Sequence, residues 1–139
     1  MDKCGYGLEV EARRVTASDG PVDEEILAEL FMVMDDGAPE GLTTICDLFL
    51  TGVPARLADI EAALADGRMD DAAKAAHSLK GTGGAFGARR VGEVAGRLEQ
   101  VCRATDRASA SGLLEELREE FLVFRIILAT RLAGLSATP

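Results

Sequence analysis

The sequence predicts an all-α fold, a bundle of amphipathic helices, and three observations carry that expectation. Apolar residues recur at spacings of three and four along successive segments, and no stretch shows the period-two alternation of a half-buried strand. Hydrophobic residues make up 47% of the chain while only 4% of residues are aromatic and Trp is absent, so Leu, Ala, Val and Ile must build the core. Such a core suits close-packed helices better than a sheet, which favours β-branched and aromatic side chains. Short breaks containing Gly or Pro punctuate the periodic segments, and 139 residues suffice for one compact domain but not two ordinary ones.

Residues 1 to about 20 carry Gly5, Gly7, Arg13, Arg14, Ser18 and Gly20 with no sustained period. They read as a tail or loosely docked arm ahead of a folded domain over residues 21–135. Pro21 stands where a first helical turn accepts proline, and Ile26, Leu27, Leu30 and Met34 follow at helical spacing to Asp36-Gly37. Pro39 opens a second helix, in which one apolar stripe runs through Leu42, Ile45, Cys46, Phe49, Val53, Leu57, Ile60 and Leu64. Pro54 interrupts its hydrogen bonding, yet the unbroken stripe predicts one kinked helix that ends at Asp66-Gly67.

A third helix is predicted from about Met69 to Phe86 and a fourth from about Ala88 to Ala104. The link at Phe86-Gly87-Ala88 is so short that these two must form an antiparallel hairpin. Val91, Val94, Ala95, Leu98 and Cys102 form the buried stripe of the fourth helix. The last helix is predicted to start near Ser109 to Ser111, with Glu115 and Glu116 in its early turns and Leu113, Leu117, Phe121, Phe124, Leu128 and Leu132 inward.

A net charge of −9 argues against a nucleic-acid or anionic-membrane surface, both of which need clustered Lys and Arg. Cys4, Cys46 and Cys102 are odd in number and lack CxxC spacing, which argues against a disulfide framework or zinc site and for a reducing cytoplasm. Cys46 and Cys102 fall on apolar stripes and read as small core residues. No signal core and no apolar run of about 20 residues is present, so the expected location is cytoplasmic.

The third helix carries the chemistry. On a wheel at about 100° per residue, Ala72, Ala75, Leu79, Thr82 and Phe86 fall on one side and are expected to face the core. His77, the only histidine, lies almost opposite, flanked by Ala73, Lys74, Lys80, Gly81 and Gly84. Each glycine inside a helix costs about 1 kcal/mol relative to alanine. Gly83 falls towards the packed flank, but Gly81 and Gly84 share the histidine face, where a bare backbone lets a partner or a phosphoryl group come close. Lys80 is one turn beyond His77, and its ammonium can pair with phosphoryl oxygens on the imidazole. From Arg68 to Arg103 there are seven basic and four acidic residues, so a local excess of +3 sits on the predicted hairpin of an acidic chain.

Ala76-His-Ser-Leu-Lys-Gly81 resembles the AH-x-LKG signature of histidine-containing phosphotransfer (HPt) domains. The likeness extends upstream through Leu48-Phe-Leu50, Pro54-Ala-Arg-Leu57 and Ala62-Ala-Leu64, and downstream through Gly84-Ala-Phe-Gly-Ala88 and Arg97-Leu-Glu99, over roughly residues 22 to 133. It implies an antiparallel four-helix bundle with an additional short N-terminal helix. It also implies that His77 takes a phosphoryl group from a receiver-domain aspartate and passes it to another receiver, with Lys80 pairing the phosphate and Gly81 and Gly84 allowing close approach. Ala73, Lys74, Arg89, Arg90, Glu99 and Gln100 are the expected surroundings for binding. The family carries a glutamine on the neighbouring helix that holds the histidine ring; here Glu99 and Gln100 are the nearest candidates. The resemblance places Mg²⁺ in the partner receiver and no cofactor in this chain. The expected partners are response-regulator receivers and a hybrid or sensor histidine kinase, and the expected state is a free-standing monomeric phosphocarrier, not a self-sufficient enzyme.

Three other readings compete with this one. An HPt-like bundle that only binds receivers would be free to lose His77, Lys80 or Gly81, yet all three are intact. A kinase-like dimeric phosphotransferase needs an ATP-binding domain, and only about 35 residues follow Ala104. A helical metal or haem protein needs more ligands than one histidine and unclustered cysteines.

Overall fold

The computed structural model describes residues 20–37 and 39–137, apart from the side chains of residues 33–43 and 135–137. The predicted arm over residues 1–20 lies outside the described residues except for Gly20, as do the side chains of Met34 and Leu42. The chain folds into α1 (Glu24–Gly37), α2 (Pro39–Ala65), α3 (Met69–Ala85), α4 (Arg89–Arg103) and α5 (Arg107–Ala137), with no strand among the described residues. Among those residues no helix is long and apolar enough to cross a membrane.

Three links of three residues each join α2 to α3, α3 to α4 and α4 to α5, which forces successive helices to run antiparallel. All three use the same device. Arg68 N–H donates to Ala63 O at 2.8 Å, Ala88 N–H to Gly83 O at 2.8 Å, and Asp106 N–H to Val101 O at 2.8 Å, closing the last carbonyls of each helix. The residue that turns the chain has positive φ each time: Gly67 at 76°, Gly87 at 74° and Thr105 at 59°. Each long helix packs on its two neighbours, and α2 meets α5 to close the ring.

The core inside that ring is apolar among the described residues, with Val53, Ile60, Leu79, Val91, Leu98, Leu117, Phe124 and Leu128 fully buried. Phe49 ties three helices together, its ring centroid 4.4 Å from Phe86, 5.4 Å from Phe124 and 6.0 Å from Phe121. Cys46 and Cys102 are buried free thiols whose pKa values are raised, chiefly by burial. Pro54 lies inside a continuous α2, as the unbroken stripe predicted.

Two helix starts differ from expectation. α1 begins at Glu24, not at Pro21, because Asp23 caps it by accepting from the Ile26 N–H at 3.2 Å. Asp23 N–H also donates to Gly87 O at 2.7 Å, so the entry to α1 is stitched to the α3–α4 turn. α5 begins at Arg107, ahead of Ser109, because Asp106 accepts from the Ser109 N–H at 3.1 Å. Glu115 and Glu116 therefore lie more than two turns in, and Glu116 bonds Arg97 at 3.0 Å instead of serving the helix dipole.

Candidate functional site

The phase of α3 decides what surrounds the histidine. Its buried residues are Ala72, Ala73, Ala76, Leu79 and Gly83. The centre of that face is rotated by roughly 70° from the expected one, so His77 stands at the flank, about 110° from the core direction, and not opposite it. Ala75, Thr82 and Phe86 are only partly buried, and Ala73, expected at the binding surface, is fully buried. The cause is the approach of α4. A β-carbon on Gly83 would meet Gly92 N at 2.9 Å, so these helices touch backbone to backbone through residues too small to weigh on a hydrophobicity wheel.

That approach sets the hairpin in a register in which Gly83 faces Gly92, Lys80 faces Gly96 and His77 faces Glu99. Nδ1 of His77 is 3.1 Å from both Oε1 and Oε2 of Glu99. The two side chains differ in setting: His77 is 67% exposed and Glu99 only 13%, so the carboxylate lies under the ring's inner edge. Arg103, one turn along α4, donates to Glu99 Oε2 from Nε at 3.0 Å and from Nη2 at 2.9 Å. The Arg103 hydrogen bond, helped by His77 and opposed by desolvation, holds the Glu99 carboxyl below its ordinary pKa. An ionised carboxylate can only accept, so Nδ1 carries the proton and donates. The lone pair of the neutral ring is thereby left on Nε2, the nitrogen on the exposed side.

Lys80 completes the site. Its methylenes lie over α4, with Cδ 3.5 Å from where a β-carbon on Gly96 would sit. Six of the seven hairpin cations meet a carboxylate: Arg68 with Asp66 and Asp71, Lys74 with Asp70, Arg89 with Asp23, Arg90 with Glu93, Glu116 and Glu120, Arg97 with Glu116, and Arg103 with Glu99. Lys80 has no carboxylate within 4.0 Å among the described residues, so its ammonium is available one turn from the ring. A β-carbon on Gly81 or Gly84 would meet nothing within 4 Å, and both glycines are exposed.

The remaining expected binding residues divide. Lys74 is exposed on the histidine side of α3, with Nζ 3.6 Å from Asp70. Gln100 is exposed beside Glu99, which alone of the two bonds the ring. Arg89 and Arg90 do not join the histidine surface. Arg89 is ten residues, or about 15 Å, along α4 from Glu99 and bonds Asp23, while Arg90 lies on the flank that faces α5. Sequence reasoning overlooked Gly92, Gly96 and Arg103. With Glu99 they recur at spacings of four, three and four, a single face of α4 that the short turn aims at α3.

On the other side of α3, an apolar groove of about 520 Å³ runs between α2 and α3. Leu48, Phe49, Val53, Leu79 and Phe86 line it, and Ser78, the residue after His77, stands at its edge. The Leu48 side of the groove is open, with that residue 64% exposed.

Solved structures share this fold. The crystal structure of histidine-containing phosphotransfer protein B (HptB) from Pseudomonas aeruginosa PAO1 is similar with a TM-score of 0.74 and 29% identity, over 82% of this chain and 96% of that one. A rice protein described as a histidine-containing phosphotransfer protein is similar in fold, with a TM-score of 0.74 at 23% identity over 92% of this chain and 93% of that one. No curated protein matches the sequence. The Hpt domain family matches residues 44–125, which span α2 from Thr44, all of α3 and α4, and α5 to Arg125. With more than half of its length matched by that family, the chain belongs to the Hpt domain family.

Proposed function

We propose that the chain is a phosphocarrier that receives a phosphoryl group on Nε2 of His77 from a receiver-domain aspartate and hands it to a second receiver. The observation that carries this reading is the pairing of Nδ1 with Glu99, which leaves a nucleophilic nitrogen facing solvent beside the Lys80 ammonium. In the forward step the Nε2 lone pair forms the N–P bond while the P–O bond to the donor aspartate breaks and its electrons stay on that carboxylate. Such transfers depend on in-line positioning and on neutralising the phosphoryl oxygens, which suits a site with one nucleophile and one cation. The receiver would supply the acidic pocket and Mg²⁺. Its apolar surface would rest on the groove beside Ser78, with the bare backbone at Gly81 and Gly84 under the phosphoryl group.

The partners on this reading are response-regulator receivers fed by a hybrid or sensor histidine kinase, met by a monomer in the cytoplasm. The test is transfer of label from a phosphorylated receiver. The expected product is an acid-labile, alkali-stable phosphate that His77→Ala abolishes with helical content unchanged. Label that persists in that variant, or that never transfers from any receiver of the same organism, sinks the reading.

A further inference from the structure

Glu99 faces two demands that it cannot meet alone. Its side chain has three torsions, and a carboxylate free to sweep through them would hold the His77 ring only part of the time. Its charge is also a hazard. A bare carboxylate 3.1 Å from Nδ1 favours the imidazolium, in which Nε2 is protonated and has no lone pair to offer. Arg103 answers both demands. Two of its N–H groups converge on Oε2 of Glu99 at 3.0 and 2.9 Å, and its charge offsets that of the carboxylate. At the last position of α4 a cation also suits the end of the helix dipole.

We propose that Arg103 is a positioning residue for phosphoryl transfer, fixing the Glu99 carboxylate that fixes the His77 ring and keeping that ring neutral and nucleophilic. This rests on the phosphocarrier reading and extends it to a residue that does not touch the reacting nitrogen. The charged groups around the ring are few. Glu99 and Arg103 face it from α4, and Lys74 and Lys80 share the exposed side of α3, with Lys74 neutralised by Asp70. From α2, Arg56 and Asp59 line a cleft that Lys74 and Ser78 border on α3. Of these, Glu99 alone bonds the ring.

The consequence reaches both halves of a relay. As the N–P bond forms and the donor P–O bond breaks, the Nδ1 proton stays on the ring, which becomes cationic, and the departing electron pair stays on the aspartate. A carboxylate without Arg103 would stabilise that cationic phosphohistidine and slow its onward transfer. With Arg103 in place the ring can both accept and release.

The test compares full-length wild type with Arg103→Gln and Arg103→Lys. NMR shifts of the two ring nitrogens against pH need no receiver, and the inference expects Arg103→Gln to convert to imidazolium at higher pH than wild type while Arg103→Lys stays near wild type. Label uptake from a phosphorylated receiver is expected to fall about fivefold near neutral pH in Arg103→Gln, to recover as pH rises, and to be restored largely by Lys. Arg103→Gln that titrates and transfers as wild type does overturns the assignment. Wild type that accepts no label overturns the phosphocarrier reading instead, and the ring titration still decides what Arg103 does to His77.

Discussion

Gly83 of α3 lies so close to Gly92 of α4 that a β-carbon on Gly83 would stand 2.9 Å from the Gly92 nitrogen and 3.3 Å from Ala88 O. Backbone-on-backbone contact at this point, beside the three-residue turn, sets the register that later brings Glu99 to His77. The glycines near the histidine thus have two different jobs, one structural and the others at the surface.

Substituting them one at a time separates the jobs. Gly83→Ala gains about 1 kcal/mol of helix propensity but forces α3 and α4 apart, an overpacking cost of about 1–3 kcal/mol. The expected net is a loss of about 1 kcal/mol in denaturant unfolding, with slower transfer because Glu99 shifts from under the ring. Gly81→Ala and Gly84→Ala have open space and should stabilise the fold by about 0.5–1 kcal/mol each while slowing transfer. A Gly83→Ala protein as stable as wild type would falsify the close-contact account.

Lys80 is expected to act on rate and not on stability. Its ammonium has no carboxylate to lose among the described residues, so Lys80→Ala should change the unfolding free energy by no more than about 0.5 kcal/mol. Loss of one charge-assisted contact to the phosphoryl oxygens, about 1.5 kcal/mol, corresponds to roughly tenfold slower transfer. Stopped-flow transfer from a receiver checks this, and an unchanged rate against several receivers removes Lys80 from the site.

Much of this fold was legible in the sequence. The stripe Val91, Val94, Ala95, Leu98 and Cys102 is the buried face of α4, and α2 continues through Pro54. These segments have strong periodicity carried by large side chains. The phase of α3 was not legible, because Ala73, Ala76 and Gly83 make its contacts by being small, and a wheel weighted by Leu79 and Phe86 turns the helix the wrong way. The partners of Arg90, drawn from Glu116 and Glu120 on α5, depend on how two helices distant in sequence lie side by side. The choice of Glu99 over Gln100 was within reach, since counting outward from the short turn pairs His77 with Glu99.

The Glu99 carboxyl makes stability acid-sensitive in a defined direction. Arg103 first, then His77, lower its folded pKa, whereas in the unfolded chain it returns to an ordinary value near 4.5. Its contribution is therefore fully present above about pH 4.5 and is lost as pH falls through the lower folded value. Glu99→Gln keeps a hydrogen-bond acceptor but cannot titrate. As pH falls below that value, the stability difference between wild type and Glu99→Gln should change as the Glu99 carboxylate is protonated. Asp106, whose pKa is lowered mainly by the Ser109 hydroxyl, gives wild type and variant the same acid loss and cancels in the difference. A difference that stays constant down to the acid transition contradicts the placement of Glu99 between Arg103 and His77.

Thr105 turns the chain from α4 into α5 at φ 59°, where the two equivalent turns use Gly67 and Gly87. A β-branched side chain in the left-handed region is strained by about 1–2 kcal/mol, and glycine relieves that strain at the cost of a more flexible unfolded chain. Thr105→Gly should therefore stabilise the protein by about 0.5–1 kcal/mol, read as a higher midpoint in urea with an unchanged m value. Thr105 is adjacent in sequence to Ala104 and lies two residues beyond Arg103, so the substitution also probes whether the end of α4 must be rigid for the site. Transfer should be unaffected, because Arg103 is held by Glu99 within α4 and not by the turn. A stabilised variant with slower transfer would show that the turn itself helps to hold Arg103 on Glu99. A destabilised one would mean that Thr105 makes a contact worth more than its strain.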